Sequence, residues 1–419
     1  MQKRVIRICL IMMVFLTVIA FTNGIFAQEV EEVRIGAVYP LSGPIAVTGL
    51  RCRYAVETAM DIVNNYHDID LPLARTEGLP NLDGAMIDAI FGDSEASPEV
   101  GRAEAERLID RGVHALIGSY QSAVSKTGSS AAERARIPWM CGASSSAALT
   151  DRGYNWFFRY APTDREDSEI FMEFLDYVNG QGHDVNKVAL VYENTEFGKH
   201  AAMCAEEAAE RFGYEVVADV PYTFGSTSLD SELLTLRAAE PDAVIAASLV
   251  GDFILFVETS RGFDFNTQGV LSFCGGFQDP GFVDAVGSDG DYYLGTDSFG
   301  LDLTEVVPEL DYVNQIFKDL SGANFDGPVF NIFNAALTLF EAIDRAGSTE
   351  PDAIRQALTE TDLELETALA NRVVFGDDGH NIYASSVIQQ TINERYRIVY
   401  PEEFATADLV WPMPTWDEK

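Results

Sequence analysis

The sequence predicts an α/β protein built from two doubly wound units in tandem. Three observations carry this prediction. At 419 residues the chain exceeds one ordinary domain and suits two of roughly 150–200 residues each. Apolar residues make up 47% of it, enough for packed cores. They fall in short runs, each closed by a Gly/Ser-rich loop and followed by a segment of helical spacing, which is how a parallel sheet with crossover helices reads.

Taken in order, residues 33–39 (VRIGAVY) form the first apolar run, as in a buried parallel strand. The Gly/Pro loop PLSGPIAVTG follows, then helical spacing over 51–65. A strand is expected at 86–91, with Gly92-Asp93-Ser94 at its end, and a helix at 98–111 with Pro98 in its first turn. A strand at 114–117 leads into Gly118-Ser119-Tyr120-Gln121-Ser122 and a helix over 123–136. The next strand, 137–141, runs into the small-residue stretch CGASSSAALTDRGY and an aromatic block. The pattern then restarts. Strands are expected at 187–192, 215–220, 243–247 and 270–273, and helices at 199–212, 228–239 and 253–261. Residues 308–346 and 351–360 read as helical, and the tail from Arg372 holds strand-like runs at 386–391 and 395–399.

The chain opens with MQKRVIR, an apolar run at 8–21, and small residues near Ala27. That run is shorter than the roughly 20 residues needed to span a bilayer, so we expect a secretory signal peptide over 1–27, cleaved after Ala27, and a periplasmic product. No cysteine lies near Ala27 to carry a lipid anchor. Net charge is −38, and the leader holds Lys3, Arg4 and Arg7 but no acidic residue, so its loss makes the balance more negative. Such a surface repels nucleic acid and anionic membranes. Beyond the leader, Cys52, Cys141, Cys204 and Cys274 lie far apart with no CxxC, and no disulfide pair is assigned.

In open parallel sheets, ligands bind outside the carboxyl ends of strands. That rule selects the loops at 39–49, 118–122, 142–149, 192–198, 248–252 and 274–279. In the 142–149 loop, small residues let backbone N–H groups approach a ligand, and Ser144, Ser145 and Ser146 add hydroxyls. A helix starting at Ser122 adds a partial positive charge. Together these suit a carboxylate with no cationic side chain, although Ser122 could serve only as a helix cap. Catalytic motifs are missing: there is no G-x-S-x-G, P-loop or G-x-G-x-x-G. The five histidines (His67, His114, His183, His200, His380) have no metal-ligand spacing. Asp93 and Glu193 at strand ends read as loop-capping carboxylates. We therefore expect no enzyme activity, no cofactor and no metal.

The stretches GAVYPLSGPIAVTG, LIGSYQSAVS, IPWMCGASSSAALTDRGYNWFFR and VALVYENTEFG, in this order, resemble the periplasmic leucine/isoleucine/valine-binding family, the type I substrate-binding proteins of ABC importers. The likeness spans nearly all of the chain after the leader. It implies two Rossmann-like lobes joined by a three-segment hinge, with crossings near 161–164, 299–303 and 371–375. Lobe 1 would take 31–162 plus 302–372, and lobe 2 would take 163–301 plus 373–419. It also implies a monomer that closes on a small-molecule carboxylate, a branched-chain or related amino acid, and docks on a membrane permease.

Carried over residue by residue, the likeness places Ser122, Ala143, Ser144 and Ser145 on the ligand carboxylate. Tyr120 falls on the same wall, and Phe197 on the opposite lobe. The family's acidic partner for a ligand ammonium falls near Phe277, and two of its tyrosines fall on Thr48 and near Leu249. Either Asp252, Asp279 or Asp297 replaces that acid, or the ligand is an aromatic or aliphatic acid without an ammonium. A soluble ligand sensor is the remaining alternative.

Overall fold

The computed structural model describes residues 31–305, 307–365 and 372–419. The expected signal peptide lies outside them. Strands β1 (Glu32–Tyr39), β2 (Met86–Asp93), β3 (Ala115–Gly118), β4 (Trp139–Cys141) and β5 (Phe157–Arg159) alternate with helices α1 (Ala46–Asn64), α2 (Pro98–Asp110) and α3 (Ser122–Ala135). They form a parallel sheet in the order β2-β1-β3-β4-β5. Past the edge of β5 the tail pairs with Arg159, whose N–H donates to Gly379 O (2.8 Å) and whose carbonyl accepts from Asn381 N–H (2.9 Å).

Helix α4 (Asp164–Gly180) opens the second unit. It continues through β6 (Lys187–Glu193), α5 (Glu196–Phe212), β7 (Glu215–Tyr222), α6 (Asp230–Ala239), β8 (Ala243–Ala247), α7 (Val250–Gly262), β9 (Gly269–Ser272), α8 (Pro280–Val286) and β10 (Leu294–Asp297). Helices α9 (Pro308–Ser321), α10 (Gly327–Ala346) and α11 (Pro351–Thr359) follow, with α9 and α10 packed on α1. Short strands β11 (Asp362–Glu364) and β12 (Arg372–Val374) pair with each other. Strand β13 (Val387–Thr391) then adds antiparallel to β10, and β14 (Tyr396–Tyr400) antiparallel to β13, completing the order β14-β13-β10-β9-β8-β6-β7. Thus the chain passes between the two lobes after β5, after β10 and before β13.

Local chemistry sets the helix starts. Ser97 caps α2 by accepting from Val100 N–H (3.3 Å), with Pro98 in the first turn. Thr163 and Glu166 form a capping box at α4, and Asp326 caps α10 by accepting from Val329 N–H (3.1 Å). Among the described residues the core falls into three clusters. One, around Trp139, Leu116 and Leu108, lies between the first sheet and helices α2 and α3. Another, around Phe253, Phe277 and Tyr293, backs the second sheet. The largest joins inner faces of both lobes to α1, α4 and α10.

The structure corrects several boundaries. Helix α1 starts at Ala46, not 51, so Thr48 stands in a helical turn and not in a loop. Helix α5 starts at Glu196, which likewise places Phe197 in its first turn. Helices α4 and α8 and strands β5 and β10 were not separated in the sequence reading. The four described cysteines are all free thiols.

Candidate functional site

The strand-end loops of the two lobes face each other across a cleft. From the first lobe come Tyr120, Gln121 and Ser122 at the start of α3, then Ala143 and Ser145 after β4, and Pro328 at the start of α10. The second lobe contributes Glu193, Thr195 and Phe197 between β6 and α5, Phe224 after β7, Leu249 before α7, and Cys274 and Gly275 after β9. Of the eight residues anticipated, Tyr120, Ser122, Ala143, Ser145, Phe197 and Leu249 meet here.

The first-lobe wall of the cleft is built largely from backbone. At α3, the N–H groups of Val124 and Ser125 reach Gln121 O (3.1 and 3.0 Å), whereas those of Ser122 and Ala123 lie ahead of the first helical acceptor. The small-residue loop beside them is fixed from behind. Arg159, fully buried at the end of β5, donates to Ser145 O (3.0 Å) and Ser146 O (2.7 Å). Asp164 N–H also donates to Ser145 O (2.9 Å), and Ser146 N–H donates to Ser122 Oγ (3.3 Å). Gly142 lets this loop touch α10, because a Cβ there would lie 2.7 Å from Ile332 Cα. With its carbonyls held on the far side, the loop is a preorganised concavity of small groups.

Ser144 does not line the cleft. Its hydroxyl lies 2.7 Å from Ser125 Oγ and donates to Ser119 O (2.8 Å), so it fastens the two first-lobe loops together. Phe277 is a clear correction. Its ring is fully buried behind the second sheet, 5.1 Å from Tyr396 and 6.0 Å from Phe282 between centroids, and it packs over Gly295. The backbone turn at Gly275, with φ of 108°, sends the next side chains to the other face of the sheet.

The carboxylates considered as ammonium partners are distributed differently. Asp279 caps α8, accepting from Gly281 N–H (2.9 Å) and from Thr48 Oγ1 (2.8 Å) across the lobes. Asp252 accepts from Gly225 N–H (3.2 Å), and burial raises its carboxyl to about 6. Neither lines the cleft. Asp297 lines an adjoining cavity. Within the cleft the carboxylate is Glu193, which accepts from Thr195 N–H (2.8 Å), Thr195 Oγ1 (2.5 Å) and Gly198 N–H (3.4 Å). It caps its loop as its position suggested, and burial raises its carboxyl.

Several lining residues escaped the sequence reading. Phe224 was missed because β7 runs to Tyr222, two residues past the expected end, which moves its strand-end loop. Pro328 comes from a distant segment and carries no local signal. The lobes are drawn together. Tyr120 Oη donates to Gly275 O (3.4 Å), Ala148 N–H to His200 Nε2 (3.2 Å), and Lys126 pairs with Glu196 (2.8 Å).

Phe197, 7% exposed, lines the second-lobe wall of the cleft with Phe224 and Leu249. Phe197→Ala is expected to weaken ligand binding by about 1–3 kcal/mol through lost apolar contact. Calorimetric titration with leucine and 4-methylpentanoate checks this, and unchanged affinity for whichever of them binds would move the ligand away from this wall.

The sequence profile of the periplasmic binding protein family matches residues 32–394. The chain belongs to the periplasmic binding protein family. Among curated relatives it is similar to Leu/Ile/Val-binding protein homolog 8 of Brucella abortus, 26% identical over 404 residues, covering 93% of this chain and 96% of the relative. Homolog 7 of the same organism is 25% identical over 411 residues, covering 96% and 99%. Among solved structures, the leucine-binding protein LivK of Thermotoga maritima superposes with TM-score 0.76 at 18% identity, covering 88% of this chain and 97% of that one. LivJ of Streptococcus pneumoniae in complex with isoleucine gives 0.75 at 18%, covering 91% and 100%. A solute-binding protein of Rhodopseudomonas palustris BisB5 in complex with 3,4-dihydroxybenzoic acid gives 0.74 at 17%, covering 91% and 99%. At such identities the structures establish the two-lobed fold of this periplasmic binding protein, and the family is one of extracytoplasmic solute binders. No helix among the described residues is long and apolar enough to cross a membrane.

Proposed function

We propose that this periplasmic binding protein is the solute receptor of an ABC importer and holds a small carboxylate with an apolar body, of the branched-chain amino acid class. The observation that carries the reading is the meeting of Ser122, Ala143 and Ser145 with Phe197, Phe224 and Leu249 in one cleft. Unpaired helix-start N–H groups and small-residue backbone receive the carboxylate, and the aromatic wall covers the body. The passages after β5, after β10 and before β13 act as the hinge between residues 31–162 plus 302–372 and the remainder. Closure buries the ligand, and the closed monomer docks on a membrane permease. No bond is broken. The isoleucine-bound and dihydroxybenzoate-bound neighbours support a carboxylate held in this fold against bodies of different shape.

Ser122→Ala combined with Ser145→Ala is expected to weaken carboxylate binding by about 1.5–3 kcal/mol, the scale of hydrogen bonds to a charged group. The fold should survive. Thermal shift of wild type and variant with leucine and 4-methylpentanoate tests this. Ligand at ~100 times Kd adds about 2.7 kcal/mol to the wild type. Equal shifts in both proteins would remove the hydroxyls from the site. One observation favours a second reading, a carboxylic acid without an ammonium: Glu193, the carboxylate in the cleft, is already occupied by Thr195 and Gly198.

A further inference from the structure

The small-residue loop after β4 has a second tether, and it comes from the opposite lobe. Ala148 N–H, near the end of that loop, donates to His200 Nε2 of α5 (3.2 Å). A neutral imidazole nitrogen that accepts an N–H carries no proton, so the ring's proton sits on Nδ1. Nδ1 faces Asp164 Oδ2 (3.2 Å) at the start of α4, and Cys204 Sγ of α5 lies 3.5 Å from it. His200, Asp164 and Cys204 are all buried. Burial pushes the thiol up to about 12, so it stays neutral and brings no charge to the ring. Asp164 also holds the loop directly. Its N–H donates to Ser145 O (2.9 Å), while its Oδ1 is buried without a hydrogen-bond partner. The other charged groups around the ring are engaged. Arg159 of β5 lies on Ser145 O and Ser146 O, Arg165 of α4 on Asp151 (3.2 Å), and Glu166 of α4 on Thr163 N–H (2.8 Å), 3.4 Å from His380. Lys126 of α3 pairs with Glu196 of α5 (2.8 Å), and Glu193 of β6 caps its own loop. Lys199 and Glu207 of α5 are exposed.

The two ring nitrogens meet opposite demands. Asp164 favours an imidazolium, because a cation beside it offsets its buried charge. Ala148 opposes one, because a proton on Nε2 sets N–H against N–H and costs a hydrogen bond across the lobes. Asp164 and His200 belong to the same unit and stay together when the lobes part, whereas Ala148 departs and water replaces it at Nε2. We propose that His200 is a positioning residue that ties the ligand loop to the second lobe only in its neutral form, so that closure expels a proton and acid opens the cleft. The inference rests on the reading that the ligand is held by closure of the lobes. With the lobes apart the ring keeps its proton more readily than with them together. Acidification through the range where imidazoles titrate, about pH 8 to 5, therefore favours the open form and weakens ligand binding.

The test compares wild type with His200→Gln and Asp164→Asn at about pH 7.5 and about pH 5.5. Glutamine offers an oxygen to Ala148 N–H but takes up no proton. Calorimetric titration with leucine and 4-methylpentanoate should show wild-type affinity falling on acidification for whichever probe binds. About three- to tenfold of that fall, the scale of one hydrogen bond, should disappear in His200→Gln. In Asp164→Asn the ring loses the charge that stabilises its proton, so the fall should move to lower pH. An equal fall in wild type and His200→Gln overturns the proposal, because other groups then carry the pH dependence. Absence of a fall in wild type overturns it too. If His200→Gln fails to fold, Asp164→Asn carries the comparison, and a fall at the wild-type pH counts against the proposal. If neither probe binds, the carboxylate reading fails and the free protein decides. Small-angle scattering should then show wild type with a larger radius of gyration at the lower pH, and His200→Gln without that expansion. Equal radii at both pH values in wild type, or equal expansion in both proteins, overturn the proposal.

Discussion

Arg159→Met is expected to destabilise the protein by about 2–4 kcal/mol and to abolish tight ligand binding, although Arg159 is not in the cleft. Its guanidinium is completely buried and forks onto the carbonyls of Ser145 and Ser146. Methionine fills most of the volume but donates nothing. Ser145 O keeps the N–H of Asp164 and Ser146 O keeps that of Leu149 (3.1 Å), but each carbonyl loses its charged donor in a dry interior. Two hydrogen bonds from a charged donor are worth about 1.5–3 kcal/mol each, and relief from burying the guanidinium offsets part of that loss. The effect on binding follows from the same bonds. They hold the backs of the loop whose front is the cradle, so without them the N–H groups are no longer preorganised. Arg159→Lys should recover little, since an ammonium cannot span two carbonyls as a planar fork does. Urea unfolding curves read the stability, and titration with leucine and 4-methylpentanoate reads the site. A variant with the wild-type midpoint would show that the loop is held by other contacts.

This arginine also shows what the sequence reveals and what it hides. Strand-helix alternation was legible because buried parallel strands are short apolar runs, and the strand-end rule then found the cradle loops without any pairing information. The stretch ending in Phe157-Phe158-Arg159 was noticed as a motif, yet β5 went unrecognised. It has three residues and is a strand only because β4 and the tail flank it. Helix α4 was missed at a linker although its Thr163–Glu166 capping box and the spacing of Phe171, Phe174, Leu175 and Val178 were readable. Phe277 was misplaced because counting along a loop cannot see the turn at Gly275, which reverses the faces. The cleft lining by Ser122, Phe224 and Pro328 draws on three segments far apart in the chain. Only the fold brings them together, so no local pattern could announce it.

Arg51→Met should have an effect of similar size, but one that depends on pH. Arg51 lies in α1, buried, paired with Asp326 at the start of α10, 3.9 Å from Asp279 of the other lobe, and 3.1 Å from Asn324 O. Burial lifts the Asp326 carboxyl from 3.8 to about 6 even though Arg51 pulls it down. Between those values the folded protein binds more protons than the unfolded chain, so this group costs stability as pH rises from about 4 to about 6. Removing Arg51 removes the restraining charge and moves the carboxyl higher still. The window in which stability falls with rising pH then extends through neutrality. The variant should therefore lose about 3–5 kcal/mol at pH 8, where the wild-type pair is intact and the orphaned carboxylate is most costly. Near pH 4.5, where Asp326 is protonated in both proteins, the loss should shrink to the hydrogen bonds alone, about 1–2 kcal/mol. Urea midpoints at the two pH values decide it, and an equal loss at both would show that Arg51 acts by packing and not by charge. The same residue joins Thr48 in tying α1 to Asp279 at the start of α8, so the closed arrangement of the lobes should loosen along with it. If leucine affinity in Arg51→Met falls at pH 8 and recovers at pH 5.5, the charge that holds the first lobe together also helps to hold it against the second.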